Sequence, residues 1–388
     1  MAVSNYYVPI LKWKRAEQNA LQALEDKWKK FITPLIELVM PTVAFSKTFI
    51  KKGKKIKVQK TQEEVSTEML QKFKEKRIKE IPDEILMSWG TRPVFLDFTL
   101  LYHRDQLKID SLNEISTVGA SKGLQIIPVL NLNDNQEIKE AVAAHYKKYK
   151  WGICLRVAPS DLVDTITLNK KIGILLSNYN LIRKNIDLLI DIKETKENGG
   201  QYVQFINASQ RINDLSEWHN FIFASGAFPE NLSKCKLDEP TYLTRFDWQN
   251  WLRHVTEKKL NRNPIFADYT IRSPIFNEAL QYYKPTPSIK YTLENDWLIL
   301  KGKLNQHEHY LVNAKLLVED MDDTFRKEDY SWGDKNIAEK ANYYHQYVQD
   351  VKSGKLKPGK GTGRSTDWIA WEINHHLMLV LNQIATLS

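Results

Sequence analysis

An α/β fold, a closed (β/α)8 barrel of the TIM-like kind carrying an added C-terminal α+β region, is what three features of the chain predict. Eight short apolar runs recur between Tyr7 and Tyr269, and most stop at a polar or charged residue. Continuous apolar runs suit strands buried on both faces, as in a parallel sheet. Amphipathic, helix-compatible stretches separate most of them. Eight β units alternating with crossovers over this length have the rhythm of an eight-stranded barrel.

The runs are 7–12, 32–39, 94–99, 124–131, 152–157, 186–192, 221–225 and 264–269. After the first, Ala16, Ala20, Leu21, Leu24 and Trp28 recur at helical spacing, which predicts a helix over 15–30. The second run opens the longest connection. Lys47–Lys60 holds seven lysines and no acid, a pattern for a solvated loop or hairpin, or for a polyanion-binding arm over the barrel mouth. Residues 62–81 then read as a helix. Asn135–Lys148 is an amphipathic helix capped by Asp134 or Asn135. Residues 161–168 read as helix, and 172–176 as strand or helix. Gly199-Gly200 marks a loop within 193–208, and 214–218 a short helix. A long loop covers 228–240, and 243–255 is the helix leading to strand eight.

Punctuation by Pro285 and Pro287 changes the architecture. Two strands, 288–292 and 297–301, flank an Asn295-Asp296 turn and read as a hairpin. Helices follow at 309–318, 337–351 and 368–387, with an irregular stretch at 319–331 and a Gly/Lys-rich loop at 353–366. The expected division is therefore a barrel over 1–285 and a C-terminal α+β region over 286–388, packed on the barrel.

Composition bounds the class. With 42% hydrophobic and 27% charged residues the chain is an ordinary soluble globular one. No apolar stretch approaches the roughly 18 residues of a membrane span, so no membrane partner is expected. The N-terminus reads as a first strand and not as a signal peptide. Two cysteines, Cys154 and Cys235, cannot build a disulfide framework, which points to a reducing cytoplasm. A net charge of +9 and a pI near 9.1 permit nucleic acid as a partner without establishing it.

In a parallel barrel the C-terminal strand ends carry the functional site. Here those ends supply Lys12, Lys14, Glu37, Asp97, Asn131, Arg156, Asp191, Lys193, Ser225 and Asp268. Glu37, Asp97, Asp191 and Asp268 are the candidate catalytic carboxylates, suited to general acid–base or metal-assisted chemistry. Lys12, Lys14, Asn131, Arg156 and Lys193, with His375 from the last helix, are the candidate binding residues. The blander reading makes several of them buried ion pairs filling the top barrel layer. The nine histidines form no HxxxH or HExxH pair, and adjacent His375 and His376 point about 100° apart on a helix, so no metal or cofactor is assigned. The Gly354–Gly361 segment lacks the Ser or Thr and the preceding strand of a phosphate-binding loop. Of the eleven tryptophans, Trp13, flanked by Lys12, Lys14 and Arg15, is the best placed to stack on a base or sugar.

The segments YYVPILKWKRAEQNAL, ITPLIELV, PVFLDF, FADYTIRSP, IKYTLENDWLILKGK, WGDKNIAEKA and STDWIAWEINHHL together resemble the family called beta protein, found in phages, prophages and bacterial genomes. The resemblance runs from the first strand to the last helix. It implies a (β/α)8-like core with a family-specific C-terminal region, and a setting in phage–host conflict. Lys14, Glu17, Glu37, Asp97, Asp268, Gly333-Asp334, Trp368 and Asn374-His375-His376 match its motif positions, with no secure catalytic set to carry over. Three functions stay open: a barrel binding an anionic ligand, nucleic acid or phage component; a barrel hydrolase acting on a phosphorylated or nucleic-acid-like substrate; and a structural partner subunit that docks through its C-terminal region. Whether the chain is an enzyme at all stays open with them.

Overall fold

A computed structural model describes residues 4, 6–51, 54–102, 104–197, 199–257, 259–278, 286–321 and 323–387. In chain order the elements are β1 (Tyr7–Lys12), α1 (Arg15–Gln22), α2 (Asp26–Lys29), β2 (Leu35–Glu37), β3 (Ser46–Lys51), β4 (Lys54–Gln59), α3 (Gln62–Lys72), α4 (Ile78–Trp89) and β5 (Val94–Asp97). Next come α5 (Asp105–Ser121), β6 (Ile126–Asn131), α6 (Gln136–Tyr149), β7 (Ile153–Val157), α7 (Thr165–Tyr179), β8 (Ile186–Glu194), α8 (Gly200–Ser209) and β9 (Asn220–Gly226). The chain ends with β10 (Thr241–Thr244), α9 (Phe246–Thr256), β11 (Ile265–Asp268), β12 (Ser288–Thr292), β13 (Asp296–Lys301), α10 (His309–Lys315), α11 (Trp332–Lys352) and α12 (Ser365–Ala385).

All eight expected runs form strands, and they close into one barrel in the order β1-β11-β9-β8-β7-β6-β5-β2. Every neighbouring pair is parallel. Strand residues alternate sides. Val8, Ile10, Leu35, Phe95, Val129, Cys154, Leu189, Ile222, Ala224, Ile265 and Ala267 pack together as the barrel interior. Their odd-step neighbours, Tyr7, Leu11, Ile36, Leu96, Leu155, Leu188, Phe221 and Phe266, belong to the larger core beneath the helices.

Local signals account for several helix starts. The Thr61 hydroxyl accepts from Glu64 N at 3.1 Å, and the Glu64 carboxylate accepts from Thr61 N at 2.9 Å, a capping box. Asn135 caps α6 through Ile138 N at 2.9 Å, and Asp164 caps α7. Two expectations are corrected here. The loop marked by Gly199-Gly200 within 193–208 is confined to the stretch before α8, which starts at Gly200 behind left-handed Gly199. Residues 243 and 244, read as the start of a helix, instead close β10 (Thr241–Thr244). It pairs antiparallel with β13, placing Thr241 opposite Ile299 and Thr244 opposite Asp296, so a long-range ladder overrides local helical spacing.

The hairpin β12–β13 and β10 make a three-stranded sheet in the order β10-β13-β12. Its apolar face packs with α10, α11 and the start of α12. Helix α12 is the link to the barrel: Leu377, Leu381 and Ile384 join the outer barrel core, while Asn374 donates to the Ala20 carbonyl of α1 at 3.0 Å. It thereby fills the outer layer beside β1 and β11. Helices α11 and α12 cross closely at Gly333, where any Cβ would overlap the Trp371 carbonyl. Among the described residues no helix is long and apolar enough to cross a membrane.

Candidate functional site

The period-two alternation that buries the apolar interior sets what comes next along each strand. Two residues beyond Ile10, Leu35, Phe95, Val129, Cys154 and Leu189 stand Lys12, Glu37, Asp97, Asn131, Arg156 and Asp191. Register aligns Lys12 with Glu37 and Glu37 with Asp97 on neighbouring strands. The top layer of the barrel is therefore polar, and Arg156 holds its centre. The guanidinium donates to Glu37 Oε1 at 3.0 Å, to Asp191 Oδ2 at 3.0 and 2.5 Å, to Asp97 Oδ2, and to the Tyr269 hydroxyl at 2.9 Å. Arg156, Glu37, Asp97 and Asp191 are each buried.

A charge in such a place is tolerable only when paired and hydrogen-bonded. Burial alone would lower the Arg156 pKa, but the surrounding carboxylates, Asp191 foremost, push it well above its ordinary value. Burial alone would raise Asp191, but Lys193, Arg156 and the Tyr269 hydroxyl hold its carboxyl well below the usual range. Lys193 reaches the site through a bulge between Asp191 and Glu194 in the β8–β9 ladder. Its backbone is left-handed, φ 60°, an uncommon state for a residue with a Cβ. The bulge puts its ammonium 3.1 Å from Asp191 Oδ2 and 2.9 Å from the Tyr269 hydroxyl. Asn131 stands at the same level, yet its side-chain amide is engaged by Thr99 and Asp134 at 3.0 and 3.3 Å.

Asp268 is not at the mouth. It shares the parity of Phe266 and faces outward, where its carboxylate accepts from the Tyr7 hydroxyl at 2.5 Å and meets His376 Nε2 at 2.9 Å. The inward position at this strand end belongs to Tyr269. Ser225 likewise faces outward with Phe221 and Phe223, and the inward residue is Gly226. A Cβ there would stand 3.1 Å from the Tyr269 ring, so glycine gives that ring its room. His375 is also away from the mouth. Its ring stacks on Tyr291 with centroids 3.9 Å apart and meets Asp334 Oδ2 at 2.9 Å and the Thr292 carbonyl at 2.8 Å. A helix in the outer layer cannot reach over the barrel end, so His376 faces the barrel wall and His375 the small sheet. Trp13 is buried and donates to Glu84 Oε2 at 2.9 Å, which removes it as a stacking surface.

Beside this network a cleft of about 170 Å³ opens between the end of β1 and the segment after β11, lined by Lys12, Lys14, Glu17, Glu230, Arg272 and Phe276 among others. Lys12 Nζ donates to the Ser273 carbonyl at 2.9 Å and lies 5.3 Å from the centre of the Tyr269 ring. Burial, against the pull of Glu37 and aided by Arg272 and Lys193, lowers the Lys12 pKa to about 8. Lys14 stands 5.6 Å over Phe276, and burial lowers its pKa too. Arg272 donates to Glu17 Oε1 at 3.1 Å, while Glu17 Oε2 is buried with no hydrogen-bond partner. Lys12 and Lys14 are legible in the sequence; Tyr269, the last residue of the eighth run, and Arg272, three residues past it, carry no other signal. Among the described residues no group of three or more His, Cys, Asp or Glu is arranged to hold a metal ion.

The lysine-rich connection is a two-stranded hairpin, β3–β4. Its base is tied to α3 by the pairs Lys47–Glu64 and Lys60–Glu68. Lys52 lies outside the described residues, as do the side chains of Lys51, Lys54 and Lys55.

A family model described as Beta protein matches residues 7–382, so the chain belongs to the Beta protein family. No curated protein matches it.

Proposed function

We propose that this member of the Beta protein family is a binding barrel whose C-terminal mouth receives a small anionic ligand, such as a phosphorylated metabolite or a nucleotide. One observation carries the reading: Arg156 engages three mouth carboxylates, while Lys12, Lys14 and Arg272 line an open cleft beside them. A hydrolase built on Glu37, Asp97 or Asp191 needs a carboxylate that touches substrate or its water. Each of these is buried and bonded to Arg156, which supports binding over hydrolysis. The cleft offers three cations against the carboxylates of Glu17 and Glu230, with Phe276 as an apolar wall, a combination suited to an anion with an organic body. In this reading the protein works in the cytoplasm as a component of phage–host conflict, and residues 286–388 brace the barrel wall.

A second reading, contact with nucleic acid, is favoured by the hairpin β3–β4. It follows β2, whose C-terminal end lies at the mouth, and its sequence carries seven lysines from 47 to 60.

Calorimetric titration of the purified chain with inorganic phosphate, pyrophosphate and nucleoside monophosphates tests the first reading. At least one is expected to bind, and Lys14→Met with Arg272→Met is expected to weaken it tenfold or more. No binding by the wild type, or equal binding by the double variant, overturns it.

A further inference from the structure

We propose that Lys12 is a nucleophilic amine that forms a reversible imine with an anionic aldehyde or ketone held in this cleft, an inference that rests on the anion-binding reading above. The geometry carries it. Lys12 closes β1, so its side chain projects into the barrel mouth, and only 8% of the residue is exposed. An ammonium has three donors, and among the described residues this one donates to a single oxygen, the carbonyl of Ser273, and to no carboxylate. Aromatic rings flank it, with Tyr269 at 5.3 Å and Phe276 at 5.9 Å. Among the described residues, Arg156 and Lys193 are committed to Asp191 and Arg272 to Glu17, while Lys14 lies over the Phe276 ring. Lys14 and Arg272, which line the same cleft, are available to take the carboxylate or phosphate arm of a ligand whose carbonyl carbon lies at Lys12.

The chemistry follows from burial. An exposed lysine with a pKa near 10.4 is neutral in well under 1% of molecules at pH 8, whereas one near 8 is neutral in about half. The neutral nitrogen attacks the carbonyl carbon, a C–N bond forms, and the oxygen takes the electron pair and a proton. The carbinolamine then loses its hydroxyl as water, leaving C=N. One water is released, nothing is oxidised or reduced, and hydrolysis reverses the step. Burial of the amine beside the Tyr269 and Phe276 rings limits water at the nitrogen and favours the dehydrated product.

The test uses the full chain, glyoxylate as the anionic aldehyde, and cyanoborohydride to fix any imine as a secondary amine, followed by intact-mass analysis and peptide mapping. At pH 8, Lys12 is expected to be modified at least about tenfold faster than any exposed lysine, given its larger neutral fraction. Inorganic phosphate in excess should slow that site alone, and Lys12→Arg should abolish the fast adduct. Labelling spread over exposed lysines with Lys12 untouched overturns the proposal in the wild-type protein itself, whether or not the variant folds. Unreactive Lys12 in a protein that still binds phosphate sinks only the imine. Unreactive Lys12 in a protein that binds no anion sinks both readings.

Discussion

Replacing Arg156 by Met places an apolar side chain of similar length under three buried carboxylates. Asp97 would keep its bond from Thr99 N at 2.6 Å, and Asp191 would keep Lys193 at 3.1 Å and Tyr269 at 2.7 Å. Glu37 would be left with Lys193 at 3.9 Å. Removing one partner of a buried ion pair costs about 3–5 kcal/mol, and the surviving partners favour the middle of that range. With an unfolding entropy near 0.8 kcal/mol/K for 388 residues, that loss lowers Tm by about 5 °C. The pH dependence carries a further sign. In the wild type the Asp191 pKa is depressed, so its contribution is present above the unfolded value near 3.9 and is lost as pH falls below it. In the variant the unpaired carboxylates are raised by burial, so protonation relieves them as pH falls. Scanning calorimetry at pH 8 and 4.5 should therefore show a gap in Tm that narrows on acidification. A gap under about 1 °C at pH 8, or one that widens toward pH 4.5, would refute the view that Arg156 holds the mouth together.

Three further outcomes are expected. His145 is buried with neither ring nitrogen bonded, and burial, with Lys148 adding, lowers its pKa to about 4. Its contribution is present above pH 6.5 and is lost as pH falls toward 4, a change of up to about 3 kcal/mol. His145→Phe should flatten the fall in urea midpoint between pH 7 and 5, and an unchanged fall would count against it. Deleting residues 288–388 removes α12 and uncovers the barrel wall against which Leu377, Leu381 and Ile384 pack; an insoluble or dye-binding barrel is expected, and a soluble, cooperatively unfolding one would contradict the bracing role. If the β3–β4 hairpin binds nucleic acid through four lysines, gel-shift affinity for duplex DNA should fall by about 150-fold between 50 and 200 mM salt. Changing Lys51, Lys52, Lys54 and Lys55 to Gln should flatten that dependence, and no binding of DNA or RNA at 50 mM salt would remove nucleic acid as a partner.

Much of the barrel is legible in the chain because strands buried on both faces leave continuous apolar runs. The same property hides the facing of each residue. In Ile265–Asp268 both parities are apolar until the end, so nothing local says that Asp268 points out to Tyr7 and that Tyr269 points in to Arg156. Ser225 and Gly226 pose the same ambiguity one strand away. His375, a candidate binding residue by sequence, meets the small sheet instead, because helical spacing fixes which residues share a face and not what the face meets. The strand β10 was illegible because its pairing partner lies more than fifty residues downstream. Arg272 carries no motif at all; its role appears only when the segment after β11 folds back against α1 to meet Glu17.

The most direct test of the anion-binding mouth is a crystal of the intact chain, grown without phosphate or sulfate and soaked with tungstate, located by its anomalous scattering. Tungstate is expected in the cleft, with oxygens about 2.7–3.2 Å from Lys12, Lys14 or Arg272 nitrogens. Tungstate bound elsewhere on the chain while that cleft holds none would contradict it.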